Sequence, residues 1–166
     1  MSEAAIFGLS VLMSFAAFGI VTKLYILPRL RNMGRNEALL AMVVPHTFRC
    51  VGMSFLVPGV VSGTLASAFA APAAYGDLVA ALFAMVATLT LVTRSAVAIP
   101  IVWAFNLWGT GDLLHAMYAG GIGVGISPGS LGAAFFIPTG IVPPLLIIHG
   151  LIFWLLLRPN VASRSA

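Results

Sequence analysis

The chain has 166 residues, of which 61% are hydrophobic and only 7% are charged. A soluble domain carries about 25% charged residues, so this composition argues against a water-soluble protein. The apolar residues form long, nearly continuous runs rather than the short alternating segments of a membrane β-barrel. Backbone polar groups in a bilayer must pair internally, and a long apolar segment does this as a helix. The sequence therefore predicts an all-α integral membrane protein.

Five segments are predicted to form a bundle of five transmembrane helices within a single transmembrane domain, residues 1–166. The first begins after an acidic opening, Met1-Ser2-Glu3, which lacks the basic region of a signal peptide, so we expect it to be retained. The predicted spans are, in chain order, about Ala4–Leu27, Ala38–Val61, Leu78–Thr93, Ala96–Tyr118 and Ala133–Leu157.

The connections follow from proline, glycine and charge. Pro28 is expected to end the first helix. The stretch Ser62–Gly76 is rich in Ala, Ser, Gly and Pro and is expected to be a loop, with Asp77 as the N-cap or first-turn acid of the third helix. One helix from Asp77 to Tyr118 would be about 63 Å long, roughly twice the thickness of the hydrocarbon core, so a turn is expected at Arg94. The glycine-rich residues 119–132 are expected to form a flexible apolar connection.

The basic residues give an independent test of the number of spans. Cytoplasmic loops of membrane proteins are enriched in Lys and Arg, and eight such residues against four acidic ones give this chain its net charge of +4. With five spans the N-terminus lies outside, the C-terminus is cytoplasmic, and the outer side receives no Lys or Arg. The predicted location is the plasma (inner) membrane of a bacterium, with no nucleic-acid partner. The cytoplasmic side receives Lys23, Arg29, Arg31, Arg35, Arg94, Arg158 and Arg164.

Polar side chains inside apolar spans are costly, so each one is a functional hypothesis. Arg49 lies roughly 16 Å into its span and stays charged, so it needs an acid, several carbonyl groups or a polar cavity. Asp112 is the preferred partner for an ion pair. The alternatives are that Arg49 is a structural tie and that Asp112 lies at headgroup level. The full set is His46 and Arg49 on the second helix, Asn106, Asp112 and His115 on the fourth, and His149 on the fifth.

The first functional hypothesis is that the bundle binds, and in one version chemically converts, a membrane lipid or another lipophilic small molecule. Arg49 and Asn106 would hold its polar head, and Asp112 and His46 are the candidate catalytic acid and base. Three further side chains are candidates for contact with the ligand: Trp108, His115 and His149.

Three alternatives remain open at this point. A homo-oligomeric channel or transporter would use Arg49 or His46 to line its pathway. A b-type haem protein would use His46 and His149, which are predicted to lie at equal depth on different helices. An accessory subunit would use the polar cluster only for architecture. No metal ligands other than this histidine pair are predicted, and the identity of any cofactor is left open.

Overall fold

The computed structural model describes residues 1–158 of the chain, and Arg164 lies outside them. These residues form helices joined by short connections, without a β-strand in the described range. Five long helices follow one another along the chain. They are α1 (Glu3–Asn32), α2 (Arg35–Leu56), α3 (Ser67–Val92), α4 (Ala98–Tyr118) and α5 (Ile137–Leu157).

Four of these helices, α1, α2, α3 and α5, are long and apolar enough to cross a membrane. This is consistent with an integral membrane protein. The fourth predicted span, α4, is a helix of 21 residues, but it is not one of these four. Its polar residues Asn106, Asp112 and His115 lower its mean hydropathy.

Helix α1 does not end before Pro28, so the predicted end at Leu27 is wrong. The helix widens into a π-helical segment, Thr22–Ile26, in which the N–H of Leu27 donates to the carbonyl of Thr22. Pro28 then lies in the first turn of Leu27–Asn32, where a residue without an N–H is tolerated.

Helix α2 ends at Leu56 rather than at the predicted Val61. Val57 adopts an extended conformation with ψ 113°, as expected for a residue that precedes a proline, here Pro58. The second half of the helix, Val44–Leu56, is a 3₁₀-helix of 13 residues, which is unusually long for this structure. Three residues per turn place every third side chain at the same angle. The buried residues of this half follow that spacing: His46, Arg49, Gly52 and Phe55.

Helix α3 begins at Ser67, eleven residues before the predicted start at Leu78, so the loop expected over Ser62–Gly76 is wrong from Ser67 onward. Alanine is the strongest helix former, and the alanines around Pro72 outweigh the single N–H that this proline lacks. Asp77 is therefore inside the helix rather than at its N-cap. Its neighbours on the buried face are small residues at spacings of three and four, Ala70, Ala73, Ala74, Ala80, Ala81, Ala84 and Ala87.

The turn between α3 and α4 lies where the sequence predicts it. Arg94 has φ 51°, the left-handed conformation that commonly follows a helix, and the Ser95 N–H donates to the Thr90 carbonyl at 2.9 Å. Helix α4 then starts at Ala98, with Pro100 in its first turn.

The glycine-rich connection after α4 is more structured than predicted. It contains a π-helical turn, Ala119–Gly123, and a 3₁₀ segment, Pro128–Phe135, so α5 begins later than the predicted Ala133. The Ala133 N–H donates to the Val60 carbonyl at 2.8 Å, which ties this segment to the connection between α2 and α3. Gly132, with φ 54°, allows the close approach because a Cβ there would collide with the same carbonyl.

The packing places a polar layer between two apolar clusters. Helix α3 packs along α2 and α4, while α5 contacts α1, α2 and α4. One apolar cluster includes Leu39, Val102 and Ile152, and the other includes Phe55 and Leu113. On each of α2, α3, α4 and α5, the polar residues described next lie between these two clusters.

Candidate functional site

Arg49 is the centre of the polar layer and is only 1% exposed. Its Nε donates to Asp77 Oδ1 at 2.7 Å, and its Nη2 donates to Asp112 Oδ2 at 2.6 Å. Its Nη1 donates to the Gly109 carbonyl at 3.1 Å and lies 3.4 Å from His149 Nε2. The guanidinium thus joins α2 to α3, α4 and α5. The predicted ion pair with Asp112 is confirmed, and a second pair with Asp77 accompanies it.

His149 is held on the other side by Asn106. The Asn106 side-chain Nδ2 donates to the His149 carbonyl at 3.2 Å, so its Oδ1 is the atom that faces His149 Nδ1 at 2.7 Å. Since Oδ1 can only accept, the proton of a neutral His149 lies on Nδ1. Nε2 then presents its lone pair to the Arg49 guanidinium. Asn106 therefore orients the histidine, and its amide is not free to hold a ligand as predicted.

His46 is fully buried, and both of its ring nitrogens lack a hydrogen-bond partner among residues 1–158. Its ring centroid lies 4.2 Å from that of His149 and 5.1 Å from that of Phe105. The two histidines therefore lie at the same level of the helical bundle. Because the two rings are in contact, no porphyrin could lie between them, and the arrangement does not fit axial ligation of haem iron.

Three glycines on successive helices provide space for the cluster. A Cβ at Gly52 on α2 would collide with the carboxylate of Asp77, and one at Gly76 on α3 would collide with that of Asp112. A Cβ at Gly109 on α4 would lie 2.6 Å from His149 Cε1 and 2.8 Å from Arg49 Nη1. Each glycine thus lets a charged or imidazole side chain of the next helix lie against its backbone.

A cavity of about 340 Å³ lies beside this cluster, with Asp77 and Asp112 in its wall. Its remaining lining comes from apolar side chains, glycine and proline. Helix α1 forms one side through four residues at helical spacing, Ala4, Phe7, Gly8 and Val11. The other helices contribute, among others, Phe55 from α2, Phe69 from α3, Leu113 from α4 and Val142 from α5.

Helix α1 covers one side of this cavity, and none of its residues Glu3–Val21 is buried. Its start is tied to the connection before α5. The Glu3 carboxylate accepts from Ser127 Oγ at 3.0 Å and from the Gly129 N–H at 3.1 Å. Phe7 packs edge-on against Phe135, with 5.8 Å between ring centroids.

The structure brings five of the seven predicted site residues together and leaves two outside. Trp108 is 47% exposed, and its indole lies near the Gly76 carbonyl on the exposed face of α4. His115 is also exposed. Neither residue lines the cavity. Of the two candidate catalytic residues, Asp112 borders the cavity and His46 does not.

Asp77 is the site residue that the sequence reasoning missed. It is 7% exposed and was expected at a helix start, where an acid is ordinary. The available signal was its spacing of three and four residues from Ala73, Ala74, Ala80 and Ala81. An acid in register with a stripe of small residues lies on a helix–helix interface rather than at headgroup level.

The described residues hold no group of three or more His, Cys, Asp or Glu side chains placed to bind a metal ion. The fold and site together define a helical bundle with membrane-compatible helices, a buried Arg–Asp–Asp cluster and an adjoining apolar cavity. The chain belongs to the family described as Domain of unknown function (DUF8737), whose model matches residues 6–157. No curated protein and no solved structure matches the chain.

Proposed function

We propose that this chain is an integral membrane protein that binds a lipophilic small molecule in the cavity between α1 and the other helices. The observation that carries the proposal is the cavity itself. Its volume of about 340 Å³ is within the range of small-molecule sites, and its wall is apolar apart from two carboxylates. Because His46 is walled off from the cavity, the proposal is for binding rather than acid–base catalysis.

The proposed topology has all five helices crossing the plasma membrane of a bacterium, with the N-terminus outside. Helix α4 packs against α3 and α5, so its polar side chains Asn106 and Asp112 meet protein rather than lipid, while His115 is exposed. The cavity is lined by the start of α1, the end of α2 and the connection before α5. All three lie at the outer end of the bundle in this topology, so a ligand would enter from the outer leaflet beside α1.

The topology predicts opposite labelling of two single cysteines. Cys50 is first replaced by serine, and a cysteine is then introduced as Thr64→Cys between α2 and α3 or as Arg94→Cys between α3 and α4. In intact cells, a membrane-impermeant maleimide is expected to label the cysteine at position 64 and to leave the one at position 94 unlabelled. Permeabilised cells control for reactivity. Labelling of both positions, or of position 94 alone, in intact cells would contradict the proposed topology.

The binding proposal is tested by native mass spectrometry of the gently purified protein. The wild type is expected to carry a small-molecule adduct, and Gly8→Trp is expected to lose it. Gly8 lines the cavity, and a Cβ built there meets no atom within 4 Å, so an indole can enter the cavity without a backbone clash.

Gly19→Trp is the matched control on the same helix. A Cβ at Gly19 also meets no atom within 4 Å, and this residue is not part of the cavity lining. Both changes replace a glycine by the same side chain, so their effects on helix propensity are the same. We expect Gly19→Trp to retain the adduct. An adduct that survives Gly8→Trp, or its absence from the wild type, would contradict binding in this cavity.

A further inference from the structure

The two carboxylates are the only charged groups in the wall of the cavity within residues 1–158. Arg49 supplies one positive charge to the cluster, while Asp77 and Asp112 supply two negative charges. With both carboxylates ionised, the cluster is one positive charge short of neutrality. A buried charge without a counter-ion is costly, so the cavity favours an occupant that supplies the missing charge.

The carboxylates are also short of hydrogen-bond donors. Asp77 Oδ1 and Asp112 Oδ2 accept from Arg49, but the described residues offer no donor to Asp77 Oδ2 or Asp112 Oδ1. These two oxygens lie against Gly52 and Gly76, which have no side chain to provide one. The side chains of Asp77 and Asp112 are only 10% and 12% exposed, so a donor for these oxygens has to come mainly from the cavity that the two residues line.

Arg49 itself is not free to hold an anionic head group. Its Nε, Nη1 and Nη2 are directed to Asp77, Gly109 and Asp112, with His149 beside Nη1. This corrects the expectation that Arg49 and Asn106 hold the ligand. The polar partners that remain open to a ligand are acceptors only, since an ionised carboxylate cannot donate.

From these observations we infer that the occupant of the cavity is a lipophilic amine, with a protonated nitrogen at Asp77 and Asp112 and an apolar body against the lining. This inference rests on the proposed function and specifies its ligand class. An ammonium group has several N–H donors and can donate to the carboxylates of Asp77 and Asp112, which both line the cavity. Its charge also balances the second carboxylate. The apolar body would lie against α1 and side chains such as Phe55, Phe69 and Leu113.

The test uses three probes with the same twelve-carbon chain: dodecylamine, dodecanol and dodecanesulfonate. Wild-type protein in lipid nanodiscs is incubated with radiolabelled dodecylamine at neutral pH and competed with each unlabelled probe. Binding to the cavity is the part of the signal that Gly8→Trp removes and Gly19→Trp retains. We expect dodecylamine to compete at least tenfold more strongly than dodecanol, and dodecanesulfonate to compete least.

Asp112→Asn gives a second measurement in the folded cluster. With this change a single carboxylate balances the charge of Arg49, so the cluster no longer lacks a positive charge. The shape of the side chain at position 112 is kept. We expect its affinity for dodecylamine to fall at least tenfold and its affinity for dodecanol to stay within about threefold of the wild type. The comparison among probes on the wild type does not depend on how well this variant folds.

The outcomes separate the two proposals. If dodecanol or dodecanesulfonate competes as well as dodecylamine for the Gly8→Trp-sensitive signal, the amine assignment is overturned and cavity binding stands. If dodecylamine shows no such signal but the native adduct is still lost in Gly8→Trp, the amine assignment fails alone. If neither the probes nor a native adduct depend on Gly8, both proposals fail.

Discussion

Replacing Arg49 by methionine is expected to lower the free energy of unfolding by about 3–5 kcal/mol, because removing one partner leaves buried charges without a counter-ion. Both carboxylates lose their only hydrogen-bond donor in the described range, and Gly109 and His149 lose a contact. The measurement is equilibrium unfolding of the protein in mixed micelles with increasing denaturing detergent. Arg31→Gln, at an exposed arginine, is the control and should stay within about 0.5 kcal/mol of the wild type.

The charge explanation is tested by removing the carboxylates as well. In the triple variant Arg49→Met, Asp77→Asn, Asp112→Asn, no buried charge is left unpaired, so we expect most of the lost stability to return. Residues that share one network are coupled, and the effects of the three changes should therefore be strongly non-additive. If the triple variant were less stable than Arg49→Met alone, the charge balance of the cluster would not be the cause of the loss.

Gly109→Ala is expected to lower the free energy of unfolding by about 1–3 kcal/mol, the usual cost of forcing an extra methyl group into a packed interior. The new Cβ would lie 2.6 Å from His149 Cε1 and 2.8 Å from Arg49 Nη1, so one or both side chains must move. The same unfolding assay measures the change. Because both neighbours belong to the polar cluster, the variant should also weaken retention of the cavity adduct.

Gly111→Ala is the matched control, two residues further along α4. A Cβ there meets no atom within 4 Å, so this variant should gain up to about 1 kcal/mol from the higher helix propensity of alanine. We expect Gly109→Ala to lower the free energy of unfolding and Gly111→Ala to raise it. Because the two changes are identical and lie on one helix, the difference between them measures the steric effect at Gly109. Equal stability of the two variants would show that α4 does not pack on the cluster as closely as described.

The charged residues show how much of the site could be predicted from the sequence. Arg49 and Asp112 were paired in the prediction because charges inside apolar segments need partners, and the 2.6 Å contact confirms this. Asp77 was missed because the helix that contains it begins at Ser67 rather than at Leu78. Pro72 and Gly76 are typical of loops in water, whereas here they lie in a helix whose alanines form the interface with the neighbouring helices.

The sequence by itself determined the all-helical character, the turn at Arg94 and the need of Arg49 for a partner. These properties depend on composition, length and charge, which act locally or through the bilayer as a solvent. Only the tertiary structure showed that Asp77 is a second partner of Arg49, that the Asn106 amide is hydrogen-bonded to His149, and that a cavity lies under α1. These depend on which faces of different helices meet. Packing between membrane helices is set by small residues and shape rather than by hydropathy, so the hydropathy pattern of a single sequence does not predict which faces meet.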